Sequence, residues 1–322
     1  MKQYNFLYTT DNNYFMHMLT SIYSLLENNK DIYLNIHIIE DNLDEINKTR
    51  LFKLEELYNN IKINIYSIKL IEDIMNKFSI PKWRDTNIAN ARLFANEIIK
   101  NVDTILYLDC DTLVVNPISE IFKYSKSNPI SGTKEICIPE HINNKLQNYY
   151  NSGILLFNYN QWENEKCIDK IYKTIKNNPI DFIYPDQDLL NFSIENIGTL
   201  DISYNLYPLL SVINNYPFLA KQFYEKKHSF YSYEEVEKAI MNPHIYHNLC
   251  YQTIRPWEKN NIHPYTALYR FYRTLWDKEY NEDECNSILA KSQLISYMNI
   301  LTKSLLNDEI YTKIKEKIIK KS

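Results

Sequence analysis

Apolar positions fall along this chain in two recurring patterns: short unbroken runs, and longer stretches in which apolar residues return every three or four positions. Tyr4 to Thr10 is rich in β-branched and aromatic residues and ends in Asp11-Asn12-Asn13, as a buried strand does on entering a loop. Phe15, Met18, Leu19, Ile22, Leu25 and Leu26 follow at helical spacing, and Asn28-Asn29 marks a stop. Repetition of these patterns predicts a strand at Ile32 to Ile39, a helix near Leu43 to Tyr58 and a strand at Ile61 to Tyr66. A helix from about Asp85 to Lys100 leads into the run Ile105-Leu106-Tyr107-Leu108, which breaks off at Asp109-Cys110-Asp111. Strands at Ile130 to Ile138 and Ile154 to Phe157, then a helix near Trp162 to Lys176, come next. Alternating β and α segments predict an α/β fold: a mostly parallel sheet of six or more strands with helices on both faces. Ligands bind such sheets beyond the carboxyl ends of the strands, where Asp11, Asp109 and Asp111 fall.

Past about residue 258 the pattern changes to short aromatic helices, so residues 1–258 are expected to form the main domain and 259–322 a C-terminal helical appendage. The end of that appendage is basic: Lys313, Lys315, Lys317, Lys320 and Lys321 stand against Glu316, with Ile310, Ile314 and Ile318 four apart. Such a helix can lay its isoleucines into a membrane interface beneath its lysines, or pack them as the apolar stripe of a solvated terminal helix. A net charge of −4, mixed along the chain, lacks the basic footprint of a nucleic-acid binder. The cysteines, Cys110, Cys137, Cys167, Cys250 and Cys285, are scattered, odd in number and without metal-type pairing, which indicates reduced thiols in a cytosolic compartment. No apolar run reaches the length of a bilayer span. A cytoplasmic protein, peripheral at most to the inner face of a membrane, is therefore expected.

The candidate chemistry centres on Asp109-Cys110-Asp111. Two carboxylates one residue apart at the end of a buried strand can converge on one cation as the chain turns, and oxygen ligands favour Mg²⁺ or Mn²⁺. Isolated acid-X-acid triplets also serve as solvated loops or caps. Position favours the cation, because desolvating two carboxylates beside four apolar residues is costly without one.

Around this triplet, five segments in order resemble glycosyltransferase family 8, the group containing bacterial lipooligosaccharide galactosyltransferases and the glycogenins. They are Phe6-Leu7-Tyr8-Thr9-Thr10-Asp11-Asn12-Asn13-Tyr14; Ala91-Arg92-Leu93-Phe94 leading to Leu106 through Val114; Tyr150-Asn151-Ser152-Gly153-Ile154; Pro185-Asp186-Gln187-Asp188; and Ile245-Tyr246-His247 through Arg255-Pro256-Trp257. The resemblance covers most of residues 1 to 257. It implies a GT-A type nucleotide-binding domain and a retaining hexosyltransferase that uses a UDP-sugar, UDP-galactose or UDP-glucose, with Mn²⁺ as cofactor and Mg²⁺ as the alternative.

Several of the residues that the resemblance assigns also have a plain structural reading. Thr9, Asp11, Asn13 and Tyr14 resemble the uridine site, although Asp11 or Asn13 can equally cap a helix. Arg92 resembles a donor-facing cation, or it snorkels from an apolar helix. Asn151 and Gly153, ahead of a buried strand, resemble a place where backbone and amide approach the sugar; a simple turn accounts for that glycine too. Asp186 and Gln187 resemble the residues beside the reacting carbon, with Asp186 as a helix cap in the other reading. His247 resembles the third metal ligand beside Asp109 and Asp111, and an imidazole tilts the preference towards Mn²⁺. Arg255 stands for a family lysine near the diphosphate. Here the chain departs from the family pattern, since Cys250 replaces the usual glycine and Tyr251-Gln252-Thr253-Ile254 lengthens the loop. Glu135 is a further candidate to meet the transferred sugar. The expected acceptor is a saccharide, lipid-linked as in a growing lipooligosaccharide core. Two other readings stand beside this one: a haloacid-dehalogenase-like phosphatase whose first Asp, Asp109, attacks phosphate, and a non-catalytic nucleotide- or glycan-binding protein.

Overall fold

The first apolar run forms β1 (Gln3–Asp11), and the helical pattern after it forms α1 (Phe15–Asn28). Then follow β2 (Tyr33–Asp41), α2 (Glu45–Leu57), β3 (Ile61–Ser67) and α3 (Lys69–Lys77). After a 3-10 helix at Asn90–Glu97 come β4 (Thr104–Leu108), β5 (Thr112–Val114), β6 (Ile130–Lys134) and β7 (Tyr150–Asn158). Next are α4 (Tyr159–Asn164), α5 (Cys167–Asn177), α6 (Pro185–Ser193) and β8 (Ile197–Thr199). The chain continues through α7 (Pro208–Asn214), α8 (Pro217–Lys226), α9 (Tyr233–Met241), β9 (Ile245–His247) and α10 (Thr266–Thr274). This computed structural model describes residues 1–280 apart from 84–85, 126, 140, 143–144, 178–180, 216, 227–228, 250–254, 260 and 262.

Seven strands join in the order β3-β2-β1-β4-β7-β6-β8, and β5 pairs with β9 in a separate two-stranded ribbon. Among the described residues, all neighbours in the large sheet are parallel except β4 with β7 and β6 with β7, so there β7 alone runs against the others. The mostly parallel mixed α/β sheet thus agrees with the alternation in the sequence. The central strand β4 is a near-continuous apolar run, buried from Ile105 to Leu108, because a parallel strand in the middle of such a sheet is covered on both faces, whereas the edge strand β3 alternates. One core gathers Leu7, Ile39, Ile105, Tyr107, Phe157 and Leu190. The described chain packs as two units, Met1–Asn205 with Pro243–His247, and Leu206–Asn242 with the residues from Asn248 onward.

Several boundaries differ from the sequence reading. The helix expected from Trp162 to Lys176 is two helices, because Lys166 takes a left-handed φ of 52° between α4 and α5. The helix expected from Asp85 is a 3-10 turn confined to Asn90–Glu97, and the preceding Trp83 and Thr86 form a β-bridge. Strand β6 ends at Lys134 rather than Ile138, where its register with β7 shifts.

A polar ladder crosses β1, β2 and β3. Asn35 donates to Asn5 Oδ1 (2.8 Å), Asn64 donates to Asn35 Oδ1 (2.8 Å), and His37 lies between Asn35 (3.0 Å) and the Tyr66 hydroxyl (3.1 Å). Burial pulls the His37 pKa down to about 4. Between that value and the ordinary 6.5 the unfolded chain binds the proton that the folded one refuses, so stability falls as pH drops through this window. The full loss is about 3 kcal/mol. His37→Gln should flatten the difference between urea unfolding curves taken at pH 7 and pH 4; a slope equal to the wild type would show that His37 is not its source.

Candidate functional site

Strand β4 delivers Asp109 to a fixed place. Its backbone N–H donates to Gly153 O of β7 (2.8 Å), continuing the antiparallel register Leu108↔Ile154. The chain then turns sharply, since Asp109 O accepts from both Thr112 N (3.2 Å) and Thr112 Oγ1 (2.8 Å). In the ribbon, Thr112 of β5 pairs with His247 of β9. These three constraints bring the imidazole beside both carboxylates. His247 Nε2 lies 3.2 Å from Asp111 Oδ1 and 3.6 Å from Asp109 Oδ2, and one ligand atom from each residue falls within 4.8 Å of the others.

Two observations test whether these residues suit a divalent cation. Gly153 supplies the room: a Cβ there would sit 2.2 Å from His247 Cε1 and 2.8 Å from Asp109 Oδ2, so only glycine leaves the ligand atoms where they are. The donor set, two carboxylate oxygens and one imidazole nitrogen, suits Mn²⁺ better than the all-oxygen preference of Mg²⁺. Burial works against a charge on His247, yet Asp111 and Asp109 outweigh it and push the pKa up to about 9. The same two carboxylates that favour a proton on His247 would favour a divalent cation, which would bind in competition with that proton. The residues fit the ion.

Arg92 lies buried against the same cluster. Its Nη1 is 3.0 Å from Asp109 Oδ1, 3.5 Å from Asp186 Oδ2 and 2.7 Å from Ser152 O, and its Nε donates to Ala89 O (2.7 Å). The guanidinium stacks on the Tyr107 ring, 4.2 Å from its centroid. Tyr107 in turn donates its hydroxyl hydrogen to Asp109 Oδ1. Oδ1 is thus held by Tyr107 and Arg92, while Oδ2 points towards His247. Burial raises the Asp186 carboxyl above its usual pKa, against the pull of Arg92.

Further along β7, Asn151 joins the remaining candidates. It donates to Glu135 Oε1 (2.8 Å) and Gln187 Oε1 (3.2 Å), and Gln187 Oε1 also accepts from Ser152 N (2.9 Å) while its amide nitrogen reaches Glu135 Oε1 (3.3 Å). Burial lifts the Glu135 pKa, opposed by the hydrogen bonds from Asn151 and Gln187. Asn151, Ser152 and Gly153 lie inside β7, not ahead of it as expected, because Tyr150 already pairs with Lys134. Asp186 is not the cap of α6: Tyr184 occupies that position, and the Tyr184 N–H is held by Asp188 Oδ2 (2.9 Å).

At the end of β1, Thr9 touches the Tyr107 hydroxyl (3.3 Å), which links this strand end to Asp109. Asp11 accepts from Tyr14 N (2.9 Å) and from the Asn13 amide (3.2 Å), so it does serve the turn before α1. Cys110 is buried, its pKa raised by that burial, and its thiol donates to Thr9 O (3.2 Å), away from ligand duty. Arg255 donates to Asn248 O and faces the Trp257 ring at 5.5 Å. Cys250, the lengthened loop 251–254 and the basic tail lie outside the described residues. Two residues here escaped the sequence reading. Tyr107 read as one member of an apolar run, and Asn205, bonded to His247, carries no local signal at all.

Comparisons with known proteins agree on one group. The sequence profile of Glycosyl transferase family 8 matches residues 5–261. The lipopolysaccharide 1,2-glucosyltransferase of Escherichia coli (strain K12) is 24% identical over 277 residues, covering 83% of this chain and 76% of that protein. General stress protein A of Bacillus subtilis (strain 168) is 25% identical over 280 residues, 83% of this chain and 92% of the other. A Haemophilus influenzae relative is 26% identical over 197 residues, a match that spans 58% of either protein. Among solved structures, the galactosyltransferase LgtC in complex with donor and acceptor sugar analogues aligns with a TM-score of 0.66 at 18% identity, covering 84% of this chain and 95% of that one. The fold is that of the GT-A glycosyltransferases.

Proposed function

This chain belongs to Glycosyl transferase family 8, matched over residues 5–261, and from that premise we propose that it moves a hexose, galactose or glucose, from a UDP-sugar to a saccharide acceptor with retention of anomeric configuration. The observation that carries the proposal is the convergence of Asp109, Asp111 and His247 within 4.8 Å, directly beside buried Arg92. A bound Mn²⁺, or Mg²⁺ in its place, supplies Lewis-acid neutralisation of the charge that grows on the departing diphosphate.

The remaining work falls to the chain's own residues. Thr9, Asp11, Asn13 and Tyr14 receive the uridine, with carboxylate and amide for its polar edges and a ring for stacking. Asp186 bonds sugar hydroxyls, and Gln187, its orientation set by Ser152 N–H (2.9 Å), presents its amide beside the reacting carbon. Asn151, Gly153 and Glu135 line the sugar from β7 and the segment after β6. Arg92 lends its charge on the donor side, and Arg255 is assigned to the diphosphate. The acceptor hydroxyl attacks the face that UDP leaves: the new C1–O bond forms, the C1–O bond to UDP breaks, and the proton passes to a phosphate oxygen.

A lipid-linked saccharide is the proposed acceptor, since a relative is a lipopolysaccharide 1,2-glucosyltransferase. Residues 1–258 are proposed as the catalytic domain and 259–322 as the appendage, working in the cytoplasm at the membrane's inner face. No helix among the described residues is long and apolar enough to cross a membrane.

A panel of UDP-sugars read by UDP release, with Mn²⁺ and with EDTA, tests the reading. One hexose donor should stand out, with release stimulated by Mn²⁺ and abolished by the chelator. UDP binding with no turnover of any donor, acceptor glycans included, would identify a nucleotide-binding protein instead.

A further inference from the structure

One backbone N–H determines how every amide in the chain from β7 to the metal cluster must be oriented. Gly153 N donates to Asn151 Oδ1 (2.9 Å), and because a peptide N–H can only donate, that atom of Asn151 must be the oxygen. The same Oδ1 is 3.0 Å from the Asn205 side chain, so the Asn205 atom facing it must be Nδ2, which also donates to Thr133 Oγ1 (2.8 Å). The other end of the Asn205 amide is then an oxygen. It lies 2.9 Å from His247 Nδ1, an arrangement that requires the hydrogen on Nδ1. His247 is thereby left with Nε2 towards Asp111 and Asp109.

Asn205 itself is held firmly. It is fully buried, follows the 3-10 turn Ile202–Tyr204, and returns its backbone N–H to Ile202 O (2.9 Å). His244 N, just ahead of β9, donates to Ser203 O (2.8 Å), which ties the approach of β9 to that same turn.

The geometry points to Asn205 as a positioning residue that, through the relay Gly153 N–H to Asn151 to Asn205, fixes His247 in the Nδ1–H form with Nε2 presented to the cation. Second-sphere partners of this kind set both the tautomer and the aim of a histidine ligand, and their loss weakens metal binding by about 10–100-fold. The relay also joins the metal to the sugar side, because Asn151 is bonded to Gln187 and Glu135 by its other atom. This inference rests on the metal site proposed above.

Two measurements test it. In the wild type loaded with diamagnetic Cd²⁺ as a probe for Mn²⁺, a long-range ¹H–¹⁵N spectrum of labelled histidines, with His247 assigned by its loss in His247→Gln, should show a protonated Nδ1 and an unprotonated Nε2. Titration of Mn²⁺ alone, followed by the EPR signal of the free ion, should give a dissociation constant about 10–100-fold weaker in Asn205→Leu. Asn205→Asp keeps an acceptor for Nδ1 but sets its second carboxylate oxygen against Asn151 Oδ1, so its affinity should fall between those of the wild type and Asn205→Leu, with the proton of His247 still on Nδ1 in the histidine spectrum; a purely structural role gives no reason for that proton position. Absence of Mn²⁺ binding in the wild type overturns the metal site itself. Metal binding with the proton on Nε2, or undiminished affinity in a folded Asn205→Leu, overturns the role of Asn205 and leaves the metal site standing. The spectrum needs no Asn205 variant, so a failure of Asn205→Leu to fold leaves that test intact.

Discussion

Asp111→Asn should yield a folded protein whose Mn²⁺-stimulated UDP release falls by about 10²–10³-fold, the range lost when one preorganised stabiliser of transition-state charge is removed. The exchange is nearly isosteric, and an amide oxygen can still face His247, whose Nε2 is 3.2 Å from Asp111 Oδ1. What disappears is one of the two negative charges that make the place attractive to a cation. Circular dichroism should be unchanged and Mn²⁺ affinity should drop in parallel with activity. His247→Ala should act in the same direction, since it deletes the only nitrogen in the candidate ligand set. Full activity in both variants, measured under saturating donor, would end the assignment of these residues to a metal.

The second large effect is on stability. Arg92 is almost wholly buried, with Asp109 and Asp186 within 3.0 and 3.5 Å of its Nη1. Arg92→Met keeps the apolar stem over Tyr107 but strands two carboxylates without their cation, which costs about 3–5 kcal/mol for a buried pair broken on one side. The expected result is a fall in urea midpoint at pH 7 that Mn²⁺ partly reverses, because bound metal compensates Asp109. Arg92→Lys should fall between, as a point charge cannot reach Ser152 O, Ala89 O and both carboxylates at once. A loss under about 1 kcal/mol would mean that this buried cluster contributes no more than an exposed ion pair does.

The strands and helices of β1, α1, β2, α2, β3 and β4 follow from local pattern, because burial on both faces demands unbroken apolar runs and packing on one face demands helical spacing. The helix α3 also carries a helical stripe, Ile71 and Met75, yet it follows Ile68 with no side-chain cap and so lacks a start signal. The break at Lys166 and the early end of β6 were invisible for a related reason: a single left-handed residue or a register shift changes no hydrophobic period.

At the site, Asp109 and Asp111 stood out because carboxylates directly after four apolar residues conflict with their surroundings unless something compensates them. His247, Asp186 and Gln187 were recognisable only through resemblance, and Tyr107 and Asn205 through neither route. A tyrosine in an apolar run reads as core, which Tyr107 also is, its ring buried beneath Arg92. Nothing in its spacing reveals that its hydroxyl orients Asp109.

By itself, then, the order of residues determined the strands and helices of the first β/α repeats, where β1 and β4 end, and that a pair of acids follows one of those ends. Only the folded chain decided that His247 faces that pair, because the meeting depends on β5 and β9 pairing with Thr112 opposite His247. It likewise decided that Gly153 stands opposite Asp109 in the β4–β7 register, leaving space for the imidazole. Local pattern reflects free energies of burial within a few residues. Register between distant strands is the outcome of many packing and hydrogen-bonding terms satisfied together, and no short stretch of sequence contains them.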